Sequence, residues 1–252
     1  MQMKMRMLGV IISLFVVILL TAIVLADPPT GADSVTKVTS SKRTNFNETV
    51  KTVPAEAGNV TELQINITKQ TDHWQGYYGN ISGTITLDNA NNFTMYQWSG
   101  LADVGGNIFA TEASSVTWTS IICANLSSNM SKDNCKGQGE ECLNITEMEN
   151  MFGMNPDDAD GVDETFTSTK DITIDTVDLT NCPATNLYQN DSSQTTYWNE
   201  TLLTVNDTET LIFAVNVEDD MFGFNYQSWD FQMIVGENEG AGKTYSFYVE
   251  LV

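Results

Sequence analysis

Period-two alternation constrains this chain more than any other feature. In TLIFAVNVED, Leu211, Phe213, Val215 and Val217 alternate with polar or small residues. Trp229, Phe231, Met233 and Val235 do so in SWDFQMIVG, and Tyr245, Phe247, Val249 and Leu251 in TYSFYVELV. Successive side chains of a strand point to opposite faces, so each such run makes a strand with one apolar side. Further strands are readable around 63–68, 81–87, 93–98, 107–111, 116–122 and 172–179, each bounded by Gly, Asn, Asp or Ser turns. GENEGAGK separates two of the strands and predicts a hairpin that closes the C-terminus. One apolar and one polar face per strand requires antiparallel sheets stacked on each other. The expected fold class is all-β, an antiparallel β-sandwich of the jelly-roll or immunoglobulin-like kind.

Two stretches break the alternation. NITEMENMFGM carries Thr146 and, three residues later, Glu149, the spacing of a capping box. Met148, Met151 and Phe152 follow at helical spacing and Gly153 supplies a stop, which predicts one short helix in a long insertion at about 124–169. The other stretch is the beginning, MQMKMRMLGVIISLFVVILLTAIVLADPP. Lys4 and Arg6 precede an 18-residue run without charge, and Val24 and Ala26 suit cleavage before Asp27. Residues 1–26 therefore read as a hydrophobic helix serving as signal peptide or retained N-terminal membrane anchor. Residues 27–56, rich in Thr, Ser and Lys with little periodicity, read as a flexible arm or stalk, and 57–252 as the sandwich domain. The protein is expected to be secreted, or tethered at the cell surface if the leader stays.

The remaining composition suits an exterior. Thirty-three acids against 11 bases give a net charge of −22, which repels phosphate backbones and excludes nucleic acid as a partner. Eleven Asn-x-Ser/Thr triplets occur, at Asn47, Asn59, Asn66, Asn80, Asn92, Asn125, Asn129, Asn144, Asn190, Asn199 and Asn206. Chance predicts roughly four of this acceptor motif at such Asn, Ser and Thr content, so the excess points to N-glycosylation. The four cysteines, Cys123, Cys135, Cys142 and Cys182, favour two disulfides in an exported chain, and three pairings are open.

Chemistry-bearing residues are sparse. NPDDADGVDE gathers carboxylates around Gly161, and Asp158, Asp160 and Asp163 are candidate calcium ligands, although the spacing is not that of the twelve-residue EF-hand loop. The same residues also read as an exposed acidic loop leading into a strand. DHWQGYYGN holds the only histidine, His73, beside Trp74, Tyr77 and Tyr78. Those three aromatics could stack on sugar rings, or fill the edge of the sandwich core. No Gly-x-Ser-x-Gly, His-Glu-x-x-His or phosphate-cradling loop is present, so no catalytic residue and no cofactor beyond calcium is assigned.

QTDHWQGYYGNISGTITLDNANN, VTWTSIICAN, DADGVDETF, NCPAT, SWDFQMIVGENEG and TYSFYVELV resemble a family of exported, β-rich archaeal surface proteins of uncharacterised activity, found also in small symbiotic lineages. The likeness runs from about residue 55 to the end. It implies location more than activity. It also implies that Cys123 and Cys182 form a shared disulfide, with Cys135–Cys142 as a local clip. The functional expectation is a non-enzymatic, N-glycosylated cell-surface protein with a structural, display or filament-forming role in an archaeal envelope. Its partners are then other copies or other envelope proteins, and the membrane only through the leader. The alternative is a secreted carbohydrate- or cell-binding module, calcium-dependent if the acidic turn takes the ion.

Overall fold

The computed structural model describes residues 28–44, 49–99, 105–126, 143–205, 210–238 and 242–251. The leader at 1–26, the acceptors Asn47, Asn129 and Asn206, and Cys135 and Cys142 lie outside the described residues. The rest is a mostly antiparallel all-β sandwich, as the alternation requires.

Its main sheet runs β1 (Thr30–Gly31), β16 (Ser246–Leu251), β5 (Gly106–Thr111), β12 (Leu211–Asn216), β11 (Asn199–Val205), β8 (Val177–Asn186), β7 (Ser168–Ile174), the strands being numbered in chain order. One edge of β11 is shared: residues 199–201 pair with β8, and residues 203–205 with β6 (Ile121–Cys123). The second layer holds one ladder, β2 (Trp74–Gly79) with β15 (Phe231–Gly236), plus two short helices, α1 (Ile145–Met151) and α2 (Val162–Thr165). Three hairpins complete the strands: β3 (Thr84–Asp88) with β4 (Thr94–Ser99), β9 (Tyr188–Gln189) with β10 (Ser192–Ser193), and β13 (Met221–Phe222) with β14 (Ser228–Trp229).

The central strands are apolar on both faces, and each face has its own core. Ile108, Ala110, Leu202, Phe213 and Val215 face the second layer, where Met233, Val235, Met148, Phe152 and Phe166 meet them. The intervening side chains, Phe109, Leu203, Val205, Ile212 and Ala214, join Trp118, Ile174 and Tyr248 on the opposite side. Register matches large to small: Ala110 lies between Phe213 and Phe247, while Phe109 lies between Ala214 and Tyr248. Pairs of this kind let adjacent strands fill each face without voids.

Several local expectations are corrected. The strands flanking GENEGAGK do not form a hairpin, because β15 pairs with β2 in one layer and β16 with β5 in the other. Both contribute side chains to the same core from its two sides, so the connection crosses between layers. The run at 172–179 is two strands with a tight turn, Ile174 opposite Val177, and Asp175 at φ +52 in the left-handed region that Asp tolerates. Residues 116–122 hold a single 3₁₀ turn, Trp118–Ser120, ahead of β6. The run at 63–68 pairs with no strand among the described residues.

A disulfide joins Cys123 of β6 to Cys182 of β8, the two strands that share the edge of β11. It closes a loop of 59 residues' separation, and loops of that size restrict the unfolded chain strongly. Replacing both cysteines by serine should lower the unfolding free energy by about 2–4 kcal/mol in denaturant titrations. Non-reducing peptide mapping that joins either residue to another cysteine would refute the pairing.

Glu200 sits fully buried on β11, facing the second layer. Its Oε2 accepts the Ile234 backbone N–H of β15 at 2.7 Å, while Oε1 has no partner. Burial pushes its carboxyl well above the ordinary value of 4.5, against the smaller opposing effect of the Ile234 N–H, so the folded protein holds it neutral. The folded state then binds a proton that the unfolded state releases above pH 4.5, and this contribution to stability is present below that pH and lost as pH rises. Glu200→Gln should therefore gain on the wild type as pH rises from there, by at most about 1.4 kcal/mol per pH unit. Chemical denaturation of both proteins across pH checks it; a constant difference contradicts a neutral Glu200.

Candidate functional site

The acidic segment between α1 and β7 is where charged side chains concentrate. The local sequence builds it in three steps. First, Asn144 caps α1: its side chain accepts the Glu147 N–H at 2.9 Å, and the Glu147 carboxylate accepts the Asn144 N–H at 3.0 Å. The capping box is thus Asn144–Glu147, two residues before the expected Thr146–Glu149. That frame buries Met148 and Phe152 and releases Glu149 from capping. Second, Gly153 at φ +66 ends the helix. A Cβ there would stand 2.8 Å from Asn238 Oδ1, so glycine suits both the conformation and the space. Third, Asn155–Asp158 turns the chain, with Asp158 Oδ2 accepting the Asn155 N–H at 2.7 Å. That N–H holds the Asp158 carboxyl below its usual range.

The start of β2 clasps this insertion. Trp74 Nε1 donates to the Asp160 carbonyl at 2.7 Å, and Thr71 Oγ1 donates to Asp160 Oδ2 at 2.5 Å. His73 Nδ1 lies 3.2 Å from the Phe152 carbonyl, and its Nε2 3.7 Å from Asp158 Oδ2. The lone histidine therefore bridges β2 to the insertion through contacts that position chain.

The three expected calcium ligands are not brought together. Asp158 caps its own turn and Asp160 holds Thr71, while Asp163 converges with Glu149 and Glu164. Burial, with the Asp163 and Glu164 charges adding to it, pushes Glu149 up to about 7. A hydrogen bond that protonated Glu164 donates to the Asp163 carboxylate raises Glu164 as well. Glu149 went unassigned in the sequence because it reads as a helix-capping residue.

The aromatic trio is also split. Trp74 packs against Phe152, Phe166 and Phe213, and Tyr77 against Phe247 in an edge-to-face pair. Both belong to the core between the layers. Only Tyr78 faces outward, 37% exposed and edge-on to Phe224 and Trp229. A flat platform of Trp74, Tyr77 and Tyr78 does not exist in this fold. One concavity among the described residues, about 260 Å³, lies between Phe152, Tyr245 and Lys243, whose ammonium pairs with Glu112 at 2.6 Å.

Of the described acceptors, Asn59, Asn66, Asn80, Asn92 and Asn125 are exposed, and Asn144 and Asn190 are half-buried. Asn199 differs. It is 8% exposed within β11, and its Nδ2 donates to the Thr196 and Tyr197 carbonyls, so the folded chain presents no amide there for a sugar.

No family model, curated protein or solved structure matches this chain. Among the described residues no helix is long and apolar enough to cross a membrane.

Trp74→Ala should lower the unfolding free energy by about 3 kcal/mol, since it removes three ring contacts and a hydrogen bond. Tyr78→Ala should stay within about 1 kcal/mol. Equal effects in denaturant titrations would contradict this division of inner and outer aromatics.

Proposed function

We propose that the chain is a non-enzymatic, N-glycosylated cell-surface protein that assembles by donating a strand, from the stretch between its arm and β2, to a second copy. The observation that carries the reading is the stretch before β2. Residues 50–70 form no strand among the described residues, yet Leu63, Ile65 and Ile67 alternate and are 55%, 83% and 84% exposed. Three apolar side chains on one edge of an extended segment are poorly placed in water, and burying them stabilises by about 1.5–3 kcal/mol each.

A recipient edge lies in the second layer. Among the described residues strand β2 pairs on one side only, with β15, over a main sheet of many more strands. Its six residues match the length of the LQINIT run. Addition of that run to a neighbour's β2 supplies main-chain hydrogen bonds, with Leu63, Ile65 and Ile67 covering the layer beneath. Asn66 then points away from the ladder, leaving an attached sugar in solvent. The β3–β4 hairpin adds a second apolar surface: Ile85 pairs with Trp98 and Leu87 with Tyr96 on one face, each 49–59% exposed. The carbohydrate-binding alternative retains only Tyr78 of its three aromatics on the outer surface and has less support.

Wild-type protein should form concentration-dependent oligomers in analytical ultracentrifugation, and the double variant Ile65→Asp, Ile67→Asp should be monomeric with unchanged thermal stability. A wild type that stays monomeric at every concentration sinks strand donation and leaves monomeric display. Oligomers that persist in the variant place the contact elsewhere.

A further inference from the structure

Three carboxylates from two helices converge beside Gly161. Glu149 enters from the last turn of α1, and Asp163 and Glu164 from the first turn of α2. One oxygen from each lies within 4.8 Å of the others. Calcium holds its oxygens at about 2.3–2.6 Å, so two ligands of one ion stand at most about 5 Å apart. The spacing therefore admits a single ion in contact with all three.

Clustering of acids alone decides nothing, because exposed carboxylates gather freely in water. The deciding side chain is Glu149. It is 3% exposed, it aims into the cluster, and its Oε1 has no hydrogen-bond partner. A buried carboxylate oxygen in that state is costly unless a cation or donor meets it. Gly161 adds a steric observation. A Cβ at that position would stand 2.5 Å from Glu164 Oε2 and 3.1 Å from Glu149 Oε1, so any other residue would fill the space between the carboxylates.

We propose that Glu149, Asp163 and Glu164 bind one divalent cation, calcium, which ties α1 to α2. All three donors are carboxylate oxygens, the hard ligands that calcium takes, whereas zinc favours nitrogen and sulfur. Asp163 and Glu164 are exposed, which leaves room for water to complete the six to eight oxygens that calcium requires. Magnesium, with its shorter and stricter octahedral shell, fits this open and uneven set less well. The bound ion fixes the insertion that His73, Thr71 and Trp74 hold from the other side. This site stands independently of assembly through the stretch before β2.

Thermal unfolding of the chelator-treated protein against CaCl2, with NaCl matched for ionic strength, tests the site. Saturation at roughly 0.1–1 mM, the weak range typical of extracellular calcium modules, is expected to raise the melting temperature by several degrees. Glu149→Gln is close in shape and removes a buried charge, so it should fold well and lose the calcium-dependent rise. Asp163→Asn with Glu164→Gln should lose it too. Terbium luminescence provides a readout separate from folding: calcium should displace bound terbium in the wild type, and Glu149→Gln should bind little. No rise in the wild type overturns the proposal. So does an equal rise in Glu149→Gln or with MgCl2, which marks screening of the net charge of −22 rather than a site.

Discussion

Strands β5, β12 and β11 carry apolar side chains on both faces, and a sheet of that kind has to be covered twice. Phe213 and Phe109, on neighbouring strands and opposite faces, mark the two demands. Toward Phe213 the cover is composite, because β2 and β15 contribute only two strands and the insertion between β6 and β7 supplies the rest. Helix α1 exists to bring Met148 and Phe152 onto that face, and Phe166, just after α2, fills beside them. The other face is closed by Trp118, Ile174 and Tyr248 around Phe109. Where a sheet is built this way, losing one covering element exposes apolar surface on a strand that has no polar side to offer.

Legibility in the sequence followed side-chain type. Strands whose large apolar residues alternate with polar or small ones, such as β12, β15 and β16, announce themselves even where both faces are covered, and the all-β class was readable from them. Strand β11 has every residue buried, but NETLLTV lacks that alternation and its first residue resembles a sugar acceptor. Such a strand reads as a mixed apolar run, and periodicity cannot detect it. Partnering is also invisible locally: nothing in GENEGAGK tells that its two flanking strands belong to different layers. In the candidate site, Asp163 was legible and Glu149 was not. Two overlapping capping frames, Asn144–Glu147 and Thr146–Glu149, satisfy the same rule, and burial of Met148 and Phe152 selects between them.

The acidic charge of the chain is distributed by burial. Most carboxylates are exposed and repel one another weakly through water. Glu200 and Glu149 are the ones taken inside with an oxygen unmatched, and they answer differently. Glu200 meets a backbone donor at the edge of β15 and is held neutral. Glu149 meets two further carboxylates, and burial together with their charges pushes it up to about 7.

The Cys123–Cys182 bond does more than hold two short strands beside β11. It encloses everything between them, including both helices and β7, in a covalent ring. A protease that cuts once within the ring opens a loop but releases no fragment, and both ends of the cut remain attached to the sheet. A single cleavage between residues 123 and 182 thereby separates nothing, however many exposed turns and charges that segment presents.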